Sequence, residues 1–293
     1  MPDLITRATL DLALLQKPQG HKYEHGHVLV LSGGPAQTGA ARLAARGALR
    51  IGAGAVTLGV PVDAVPVVAP ALTSIMLTPL ADQNALSRVL DDTRINALCL
   101  GPALGLQEDQ KVLVAGALES GRPCVLDADA LTLLAQDSDL MALLHDRCVL
   151  TPHPGEFARL FPDIAGRMKN GPAFLRSEGM RAAATRAGCT VLLKGPQTMI
   201  AEPEGLVRMH DATGPRAVPW LATAGSGDVL AGFIAGLLAR KFAPLQAASW
   251  GVWLHAACAA HFGPGLIAED LPEELPHVLR ALHDVEAPAE ESP

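Results

Sequence analysis

The chain has 293 residues, of which 49% are hydrophobic and 18% are charged, with a formal net charge of −7 and a pI near 5.8. That composition is enough for a sizeable buried core and excludes a wholly disordered chain. No cluster of Lys or Arg stands out, which argues against a nucleic-acid-binding surface. An anionic ligand therefore has to be held by backbone N–H groups and a few cations.

The N-terminus, the hydropathy pattern and the cysteines indicate the cellular compartment. The first residues, Met1 to Leu4, lack the basic and apolar segments of a signal peptide. The longest weakly charged stretch, Ile51–Ala81, contains four prolines, so no membrane-spanning helix is predicted. The five cysteines, an odd number with no CxxC spacing, predict neither disulfides nor a zinc site, and the first four lie in or beside apolar strand-like runs, which predicts buried thiols. We therefore expect a soluble cytoplasmic protein that binds neither membranes nor nucleic acids.

Short apolar or β-branched runs alternate with longer helical patterns along the chain. The predicted strands are His27–Ser32, Ala55–Val60, Ala97–Leu100, Pro123–Leu126, Cys148–Leu150 and Thr190–Leu193. The predicted helices are Gly39–Arg50, Gln107–Glu119, Ala128–Ala135, Glu156–Leu160, Ala173–Ala187, Val229–Arg240, Pro244–Phe262 and Pro272–His283. Repeated strand-then-helix order with near-continuous apolar strands predicts an α/β fold whose mostly parallel central sheet is flanked by helices on both faces.

A hairpin and the lack of a linker complete this predicted architecture. The runs Thr198–Glu202 and Leu206–Met209 are separated by Pro203-Glu204-Gly205 and not by a helix, which predicts an antiparallel hairpin at the sheet edge. No internal repeat and no long linker divides the sequence. The chain is therefore predicted to form a single domain over residues 1–286, followed by a flexible tail at 287–293.

Ligands of parallel α/β sheets bind beyond the carboxyl ends of the strands, so the segments after the first strands are candidate sites. The loop Ser32–Ala41 does not satisfy the GxGxxG pattern of dinucleotide-binding proteins, but its glycines allow a close approach to a ligand. Gly105, after the third strand, likewise lets a substrate lie against the backbone. Asp127 and Asp129, after the fourth strand, either reach a metal ion or cap the next helix.

Two later loops carry further candidate residues. In Thr151–Glu156, two prolines fix the loop, and His153 is a candidate partner for a substrate amide or phosphate. Glu156 is a candidate Mg²⁺ ligand through water, or alternatively a first-turn residue that complements the helix dipole. Lys194 and Gly195 end a strand, where a cation and an open backbone suit a nucleotide phosphate or ribose; a solvated turn lysine is the alternative.

The strongest signal is Gly225-Ser226-Gly227-Asp228, which directly precedes an apolar helical pattern. Small residues let the first N–H groups of the helix turn inward, and the helix dipole favours an anion there. Asp228 can accept a proton from a substrate hydroxyl while the amides hold a phosphoryl group. The alternative is a simple helix cap, since Ser and Asp both cap well. His255 and His261, further along, are interpreted as packing or surface residues.

Taken in order, six segments resemble those of the ADP-dependent (S)-NAD(P)H-hydrate dehydratases, a branch of the ribokinase-like superfamily: Gly33–Ala41, Gly101–Gly105, Asp127–Ala130, Thr151–Glu156, Lys194–Thr198 and Gly225–Asp228. The match runs from about Leu14 to Arg280, and Thr-Pro-His-Pro-Gly-Glu combined with Gly-Ser-Gly-Asp is specific to this branch. The resemblance implies a ribokinase-like fold. It also implies dehydration of (S)-NADHX and (S)-NADPHX, the hydrated nicotinamide cofactors, with ADP as co-substrate converted to AMP and phosphate, and with Mg²⁺.

The resemblance further implies roles for individual residues. Those implied to contact the hydrate are Ala40, Gly105, His153 and Asp228. Those implied to line the AMP site are Lys194, Gly195, Pro196, Gln197, Thr198 and Gly227. Asp228 would deprotonate the substrate hydroxyl as it attacks the terminal phosphoryl group, and the amides of Gly225 and Gly227 would stabilise the developing charge. The sequence departs from the family where Ala103 replaces the usual glycine and where Gly214–Trp220 is longer and more apolar.

The resemblance also implies partners, and two alternative functions stay open. The resemblance implies a homo-oligomer, expected to be a tetramer. Many members carry an N-terminal epimerase domain; because this chain begins too late to contain one, we expect an NAD(P)HX epimerase on another chain. A ribokinase-like small-molecule kinase, acting on a vitamin precursor or a sugar, would instead release a phosphorylated product. A non-catalytic nucleotide-binding protein would keep its function after Asp228→Ala.

Overall fold

The computed structural model describes residues 2–169 and 173–284; the predicted tail at 287–293 and residues 285–286 of the predicted domain lie outside them. The described part contains one ten-stranded sheet. Its strands are β1 (Asp3–Leu4), β2 (His27–Leu31), β3 (Ala55–Val60), β4 (Met76–Pro79), β5 (Ala97–Leu100), β6 (Cys124–Leu126), β7 (Cys148–Leu150), β8 (Thr190–Leu193), β9 (Gln197–Ala201) and β10 (Val207–Asp211). The helices are α1 (Leu12–Leu15), α2 (Gly39–Arg50), α3 (Val65–Val68), α4 (Gln83–Leu90), α5 (Glu108–Glu119), α6 (Ala128–Gln136), α7 (Ser138–Ala142), α8 (Pro154–Leu160), α9 (Pro162–Met168), α10 (Ala173–Ala187), α11 (Ser226–Ala239), α12 (Pro244–Phe262) and α13 (Asp270–Asp284).

The sheet is parallel over most of its width. Its strand order is β1-β10-β9-β8-β7-β6-β5-β2-β3-β4, and the strands from β8 to β4 all run parallel. Strand β9 runs antiparallel to both β8 and β10, which confirms the predicted hairpin. The two-residue strand β1 pairs in parallel with β10, so the hairpin lies one strand inside the edge of the sheet.

The strand side chains alternate between two apolar layers, as the two-residue period of a strand requires. In β2, Val28 and Val30 face the layer that contains α2, α11 and α12. Leu29 and Leu31 face the opposite layer, which contains α5, α6 and α10. Every residue of β2, β3 and β5 is buried, and this confirms the prediction of a sheet covered by helices on both faces.

Helix α11 packs closely against α2, and glycines make this possible. A Cβ added at Gly232 would lie 2.1 Å from the carbonyl oxygen of Ala44, and one at Gly236 would lie 2.7 Å from that of Ala48. Contacts this short leave no room for a side chain. These two glycines therefore set the separation of the helices, and with it the position of the first turn of α11 above the sheet.

The structure bears on two expectations, the lack of a membrane-spanning helix and the state of the cysteines. Over residues 2–169 and 173–284, no helix combines the length and the apolar character that a membrane span requires. All five cysteines are free, as predicted, and all five are buried.

Ala103, in the loop after β5, has a left-handed backbone conformation with a φ of 49°. A Cβ disfavours this conformation by about 1–2 kcal/mol relative to glycine, although glycine loses more backbone entropy on folding. We therefore expect Ala103→Gly to raise the free energy of unfolding by about 0.5–1 kcal/mol, measured by urea denaturation. An unchanged or lower free energy of unfolding would contradict this prediction.

Candidate active site

The loops after β2, β5 and β6 meet at one edge of the sheet, beside the first turn of α11. Because β2 lies between β3 and β5, the chain changes direction across the sheet at this point, which is where ligands bind in open α/β sheets. A Cβ added at Gly101 would lie 1.8 Å from the carbonyl oxygen of Asp127, and one at Gly33 would lie 2.0 Å from that of Ala103. Glycine is therefore required for these loops to pack against one another.

A buried ion pair lies at this edge. Lys194 Nζ donates to Asp127 Oδ1 at 2.7 Å, and the Asp127 side chain is only 3% exposed. A Cβ added at Gly227, in the first turn of α11, would lie 3.5 Å from Lys194 Nζ. The ammonium group of Lys194 and the positive end of the α11 dipole therefore act on the same small volume, and both favour an anion there.

Helix α11 begins with backbone donors that are free to bind a ligand. Gly225, its N-cap, has a φ of 88°, a left-handed conformation that glycine adopts without strain. The Ser226 N–H contacts the Thr223 carbonyl oxygen at 3.4 Å. In the described part of the chain, the N–H groups of Gly227 and Asp228 have no acceptor. Such first-turn donors, together with the helix dipole, form a binding site for a phosphate group.

Asp228 lies half-buried in the same turn. Its pKa is raised to about 6, first by burial and then by the negative charge of Asp127; Lys194 opposes the shift, and Asp129 adds to it. At neutral pH this carboxylate is therefore ionised but still basic enough to accept a proton. A raised pKa of this kind, next to free backbone donors, is typical of a general base.

Asp127 and Asp129 connect loops of the site, and neither side chain caps α6; a role of either residue towards a metal ion stays a prediction. Asp127 occupies the N-cap position of α6, but its side chain makes no capping bond and pairs with Lys194 instead. Asp129 Oδ2 accepts the N–H of Gly105 at 2.8 Å, so it holds the backbone of a residue that we predicted to contact the substrate. The geometry therefore links the loops after β5, β6 and β8 through side-chain contacts.

A cavity of about 510 Å³ lies beside the first turn of α11. Of the residues predicted to line the AMP site, five line this cavity: Lys194, Gly195, Pro196, Thr198 and Gly227. The side chain of the sixth, Gln197, is directed instead towards Arg176, whose Nη1 donates to it at 3.1 Å. The volume is that of a site for a small-molecule ligand or cofactor.

Part of the cavity wall comes from the segment that departs from the family pattern. Ala217, Val218 and Pro219 line it, followed by Leu221 and Ala222. The sequence showed only that Gly214–Trp220 is unusually long and apolar. In the structure, three of its residues form part of the cavity wall.

The four residues predicted to contact the hydrate, Asp228 included, are not among those that line this cavity. Gly105 is held by Asp129. Ala40 lies in the first turn of α2, one turn before Leu43, and a Cβ added at Gly225 would lie 2.6 Å from Leu43 Cδ1. The structure thus brings Ala40 and Gly105 to the same edge of the sheet as Asp228.

His153 and Glu156 form a capping box at the start of α8. His153 Nδ1 accepts the N–H of Gly155 at 2.9 Å, and Glu156 Oε2 accepts the N–H of His153 at 2.8 Å. Glu156 is therefore a first-turn capping residue, the structural alternative considered from the sequence, and its role towards Mg²⁺ stays a prediction. The His153 side chain is 50% exposed. Its loop contacts the segment that carries Lys194, because the Lys194 N–H donates to the Pro152 carbonyl oxygen at 2.9 Å.

The described residues offer no candidate metal centre made of protein side chains alone. Among residues 2–169 and 173–284, no three His, Cys, Asp or Glu side chains are arranged to hold a metal ion.

The sequence interpretation of the two later histidines is confirmed, but it missed one contact. His261 is a surface residue whose Nδ1 lies 2.6 Å from Glu274 Oε1. His255 is buried, lines the cavity, and has its Nε2 atom 2.8 Å from the Ser226 carbonyl oxygen. The sequence carried no signal for this contact, because α12 is apolar over most of its length and His255 is not next to any motif.

Comparisons with known proteins match nearly the whole chain. The profile of the NAD(P)H-hydrate dehydratase family matches residues 28–278. The chain is 33% identical over 291 residues to an ADP-dependent (S)-NAD(P)H-hydrate dehydratase of Xanthomonas campestris, covering 95% of this chain and 96% of that protein. It is 39% identical over 283 residues to a bifunctional NAD(P)H-hydrate repair enzyme of Moorella thermoacetica, covering 92% of this chain and 52% of that protein. The chain thus spans about half the length of the bifunctional relatives.

A solved structure supports the fold directly. An ADP/ATP-dependent NAD(P)H-hydrate dehydratase of Bacillus subtilis, co-crystallised with ATP and Mg²⁺, superposes with a TM-score of 0.77 at 29% identity. The alignment covers 96% of this chain and 99% of that one. The predicted ribokinase-like fold is therefore confirmed.

Proposed function

The chain belongs to the NAD(P)H-hydrate dehydratase family, and from that membership we propose that it dehydrates (S)-NADHX and (S)-NADPHX while ADP is converted to AMP and phosphate. The observation that carries this proposal is the position of Asp228. A carboxylate with a pKa of about 6 lies in the turn that offers free N–H donors, next to Lys194 and a cavity of about 510 Å³. These groups are the ones that phosphoryl transfer to a hydroxyl requires.

The proposed chemistry replaces a poor leaving group with a good one. Hydroxide leaves a carbon atom with difficulty, whereas phosphate leaves readily. Asp228 takes the proton of the substrate hydroxyl as the oxygen attacks the terminal phosphoryl group of ADP, and AMP is released. The N–H groups of Gly225 and Gly227 stabilise the charge that develops on the phosphoryl oxygens. The lone pair of the ring nitrogen then expels phosphate, and loss of a proton from the ring carbon next to the one that carried the hydroxyl restores the dihydronicotinamide.

The two ligands are proposed to bind on different sides of this turn. ADP occupies the cavity, where Lys194, Gly195, Pro196, Thr198 and Gly227 line the wall. Gln197 would contribute its backbone, because its side chain is engaged by Arg176. The hydrate contacts Ala40, Gly105 and the exposed ring of His153, so that its hydroxyl faces Asp228.

Mg²⁺ is proposed to enter with the nucleotide. Three of the four site carboxylates are already engaged, and the fourth, Asp228, is assigned as the base: Asp127 pairs with Lys194, Asp129 accepts from Gly105, and Glu156 caps α8. They do not fit a resident metal ion, whereas Mg²⁺ bound to phosphate oxygens keeps several water ligands. Glu156 would reach such an ion only through water, and no step is assigned to it.

The two alternative functions use the same residues but differ in outcome. A small-molecule kinase would leave a stable phosphorylated product, and a non-catalytic binding protein would release neither AMP nor phosphate. The family membership and the match to the Xanthomonas dehydratase favour dehydration over both.

The test is to mix the protein with NADHX, ADP and Mg²⁺ and to follow the return of NADH absorbance together with AMP release. Recovery that requires nucleotide, with one AMP per NADH, supports the proposal. If folded protein recovers no NADH with either ADP or ATP, the dehydratase proposal is wrong. The homo-oligomer, expected to be a tetramer, stays a prediction that light scattering checks. The epimerase on another chain also stays a prediction: a mixture of (R)- and (S)-hydrate should be converted only in part until an epimerase is added.

Gly227→Ala separates nucleotide binding from folding. The added Cβ would lie 3.5 Å from Lys194 Nζ and 3.9 Å from Asp127 Oδ2, which are ordinary contacts, so the protein should fold. The methyl group would occupy space next to a backbone N–H that is proposed to bind the phosphate. We therefore expect the Kd for ADP to rise about 10-fold, which is a loss of about 1.4 kcal/mol in binding free energy. Titration calorimetry measures this change.

Gly166→Ala is the control, because this exposed glycine of α9 does not line the cavity and an added Cβ would meet no atom within 4 Å. It should raise the free energy of unfolding by about 0.5–1 kcal/mol and leave the ADP affinity unchanged. An unchanged Kd in Gly227→Ala would contradict the placement of the phosphate.

A further inference from the structure

One buried histidine in the cavity wall has no part in the chemistry proposed above. His255 of α12 is 7% exposed, and its ring packs edge-on against Phe233 with a centroid separation of 6.2 Å. Its Nε2 atom lies 2.8 Å from the Ser226 carbonyl oxygen. A carbonyl oxygen only accepts hydrogen bonds, so Nε2 carries the hydrogen and donates it.

The acceptor of this bond belongs to the peptide group that carries the Gly227 N–H, one of the proposed phosphate-binding groups. The carbonyl of Ser226 and the N–H of Gly227 are the two ends of one planar peptide, and in a trans peptide they point in opposite directions. A donor that fixes the carbonyl on one side therefore also fixes the direction of the N–H on the other. That N–H is one of the free donors at the start of α11.

The Ser226 carbonyl has one partner within α11, because in a helix that begins at Ser226 it accepts the N–H of Leu230. The peptide nevertheless has flexible neighbours, since glycine lies on both sides of Ser226, at 225 and 227, and the Gly227 N–H has no intrahelical partner. Ser226 Oγ donates to the Leu221 carbonyl oxygen at 2.8 Å, which holds the side chain. His255 is thus a second donor to the Ser226 carbonyl, and it further limits the tilt of the peptide plane.

We propose that His255 is a positioning residue for the anion site: by donating to the Ser226 carbonyl, it orients the Gly227 N–H towards the nucleotide phosphate. This inference rests on the proposed nucleotide site. His255 does not act through charge, because burial lowers its pKa to about 4 and it is neutral at pH 7. Removing it therefore changes the geometry of the donor without changing the charge of the site.

Two variants and two ligands test the inference. His255→Leu removes the donor and retains an apolar side chain, whereas His255→Gln keeps an amide donor at about the reach of Nε2. We expect His255→Leu to raise the Kd for ADP about 10-fold with little change for adenosine, which has no phosphate, because the loss of one oriented donor affects only the anion. His255→Gln should restore the Kd for ADP to within about 3-fold of the wild type.

The outcomes discriminate between positioning and packing. If His255→Leu weakens ADP and adenosine equally, or if His255→Gln is as impaired as His255→Leu, the residue only fills the cavity wall and the inference is overturned. An unchanged Kd for ADP in His255→Leu also overturns it. Wild-type protein that does not bind ADP at all would instead refute the nucleotide site itself, and this inference with it.

A measurement on the wild-type protein covers the case in which the variants do not fold. Nitrogen-15 NMR at pH 7 should show His255 as the neutral tautomer with hydrogen on Nε2, and the Gly227 amide resonance should shift when ADP is added. The opposite tautomer, or a Gly227 resonance that ADP does not move, overturns the inference.

Discussion

Asp228→Asn is expected to lower kcat for hydrate dehydration by about 10²–10⁴-fold, the range typical of a lost general base. The amide has nearly the same shape as the carboxylate but cannot accept the proton of the substrate hydroxyl. The free N–H groups and Lys194 stay in place, so the Kd for ADP should change by only a few-fold. A variant that keeps more than about a tenth of the wild-type kcat would show that another group takes the proton.

The same carboxylate predicts the pH dependence of the reaction. Burial and the charge of Asp127 raise the pKa of Asp228 to about 6, so the catalytic anion is lost as the pH falls below that value. We therefore expect kcat/KM to rise with pH through about 6 and to level off above it. The ascending limb should be absent from the residual activity of Asp228→Asn.

The raised pKa also has a consequence for stability, and its sign is opposite to that of an ion-paired aspartate. The folded protein disfavours the charged form of Asp228 relative to the unfolded chain, whose aspartate has a pKa of 3.8. The charge therefore lowers stability as the pH rises from about 4 to above 6, by roughly 3 kcal/mol for a shift of about two pKa units. Asp228→Asn should consequently be more stable than the wild type at pH 7 and similar to it at pH 4, measured by urea denaturation.

The sequence located the site because its residues follow the strands. Asp127 and Lys194 come directly after apolar runs that are strands in the structure, and His153 follows a third such run after Thr151 and Pro152. The carboxyl ends of parallel strands meet at one edge, so linear order alone brings such residues together. The same reasoning found the first turn of α11, because Gly225-Ser226-Gly227-Asp228 is followed by an apolar pattern with helical spacing.

Elements with little burial or little length escaped prediction. Strand β4 is an edge strand whose residues are half-exposed or exposed, so its sequence has neither a continuous nor an alternating apolar pattern. Helix α4 is only eight residues long and was not predicted, although Asp82 caps it by accepting the N–H of Ala85 at 2.8 Å and Ala85, Leu86 and Leu90 form a buried face at helical spacing. Strand β1 has two exposed residues and is held by its pairing with β10, which no local pattern reveals.

Contacts between distant parts of the chain were the second limit. The pairing of Asp127 with Lys194 joins residues that follow β6 and β8, two strands that are not neighbours in the sheet, and the contact of His255 with Ser226 joins two helices. The sequence singled out Asp127, Lys194 and the segment of Ser226 as candidates, but no local pattern showed which residues they would contact. Only the folded backbone shows that Asp127 engages the lysine rather than capping α6.

Lys194→Met is expected to have the largest effect on stability. It leaves the Asp127 carboxylate, 3% exposed, without its partner, and an unpaired buried charge costs about 3–5 kcal/mol. It should also weaken ADP binding, because a cation next to the proposed phosphate site is lost. Since Lys194 holds the pKa of Asp228 down, the ascending limb of the pH profile should move to higher pH in whatever activity is left.

The double variant Asp127→Asn/Lys194→Met separates these two roles of Lys194. In the double variant residue 127 carries no charge, so no buried carboxylate is left without a partner. The double variant should therefore regain most of the free energy of unfolding lost in Lys194→Met. Its ADP affinity should stay as low as that of Lys194→Met, because the cation is still missing. Asp127→Asn alone should cost less stability, since the Lys194 side chain is 21% exposed and its ammonium can reach water. If the double variant regained nucleotide affinity together with stability, Lys194 would serve only to neutralise Asp127, and its assignment to the phosphate site would be wrong.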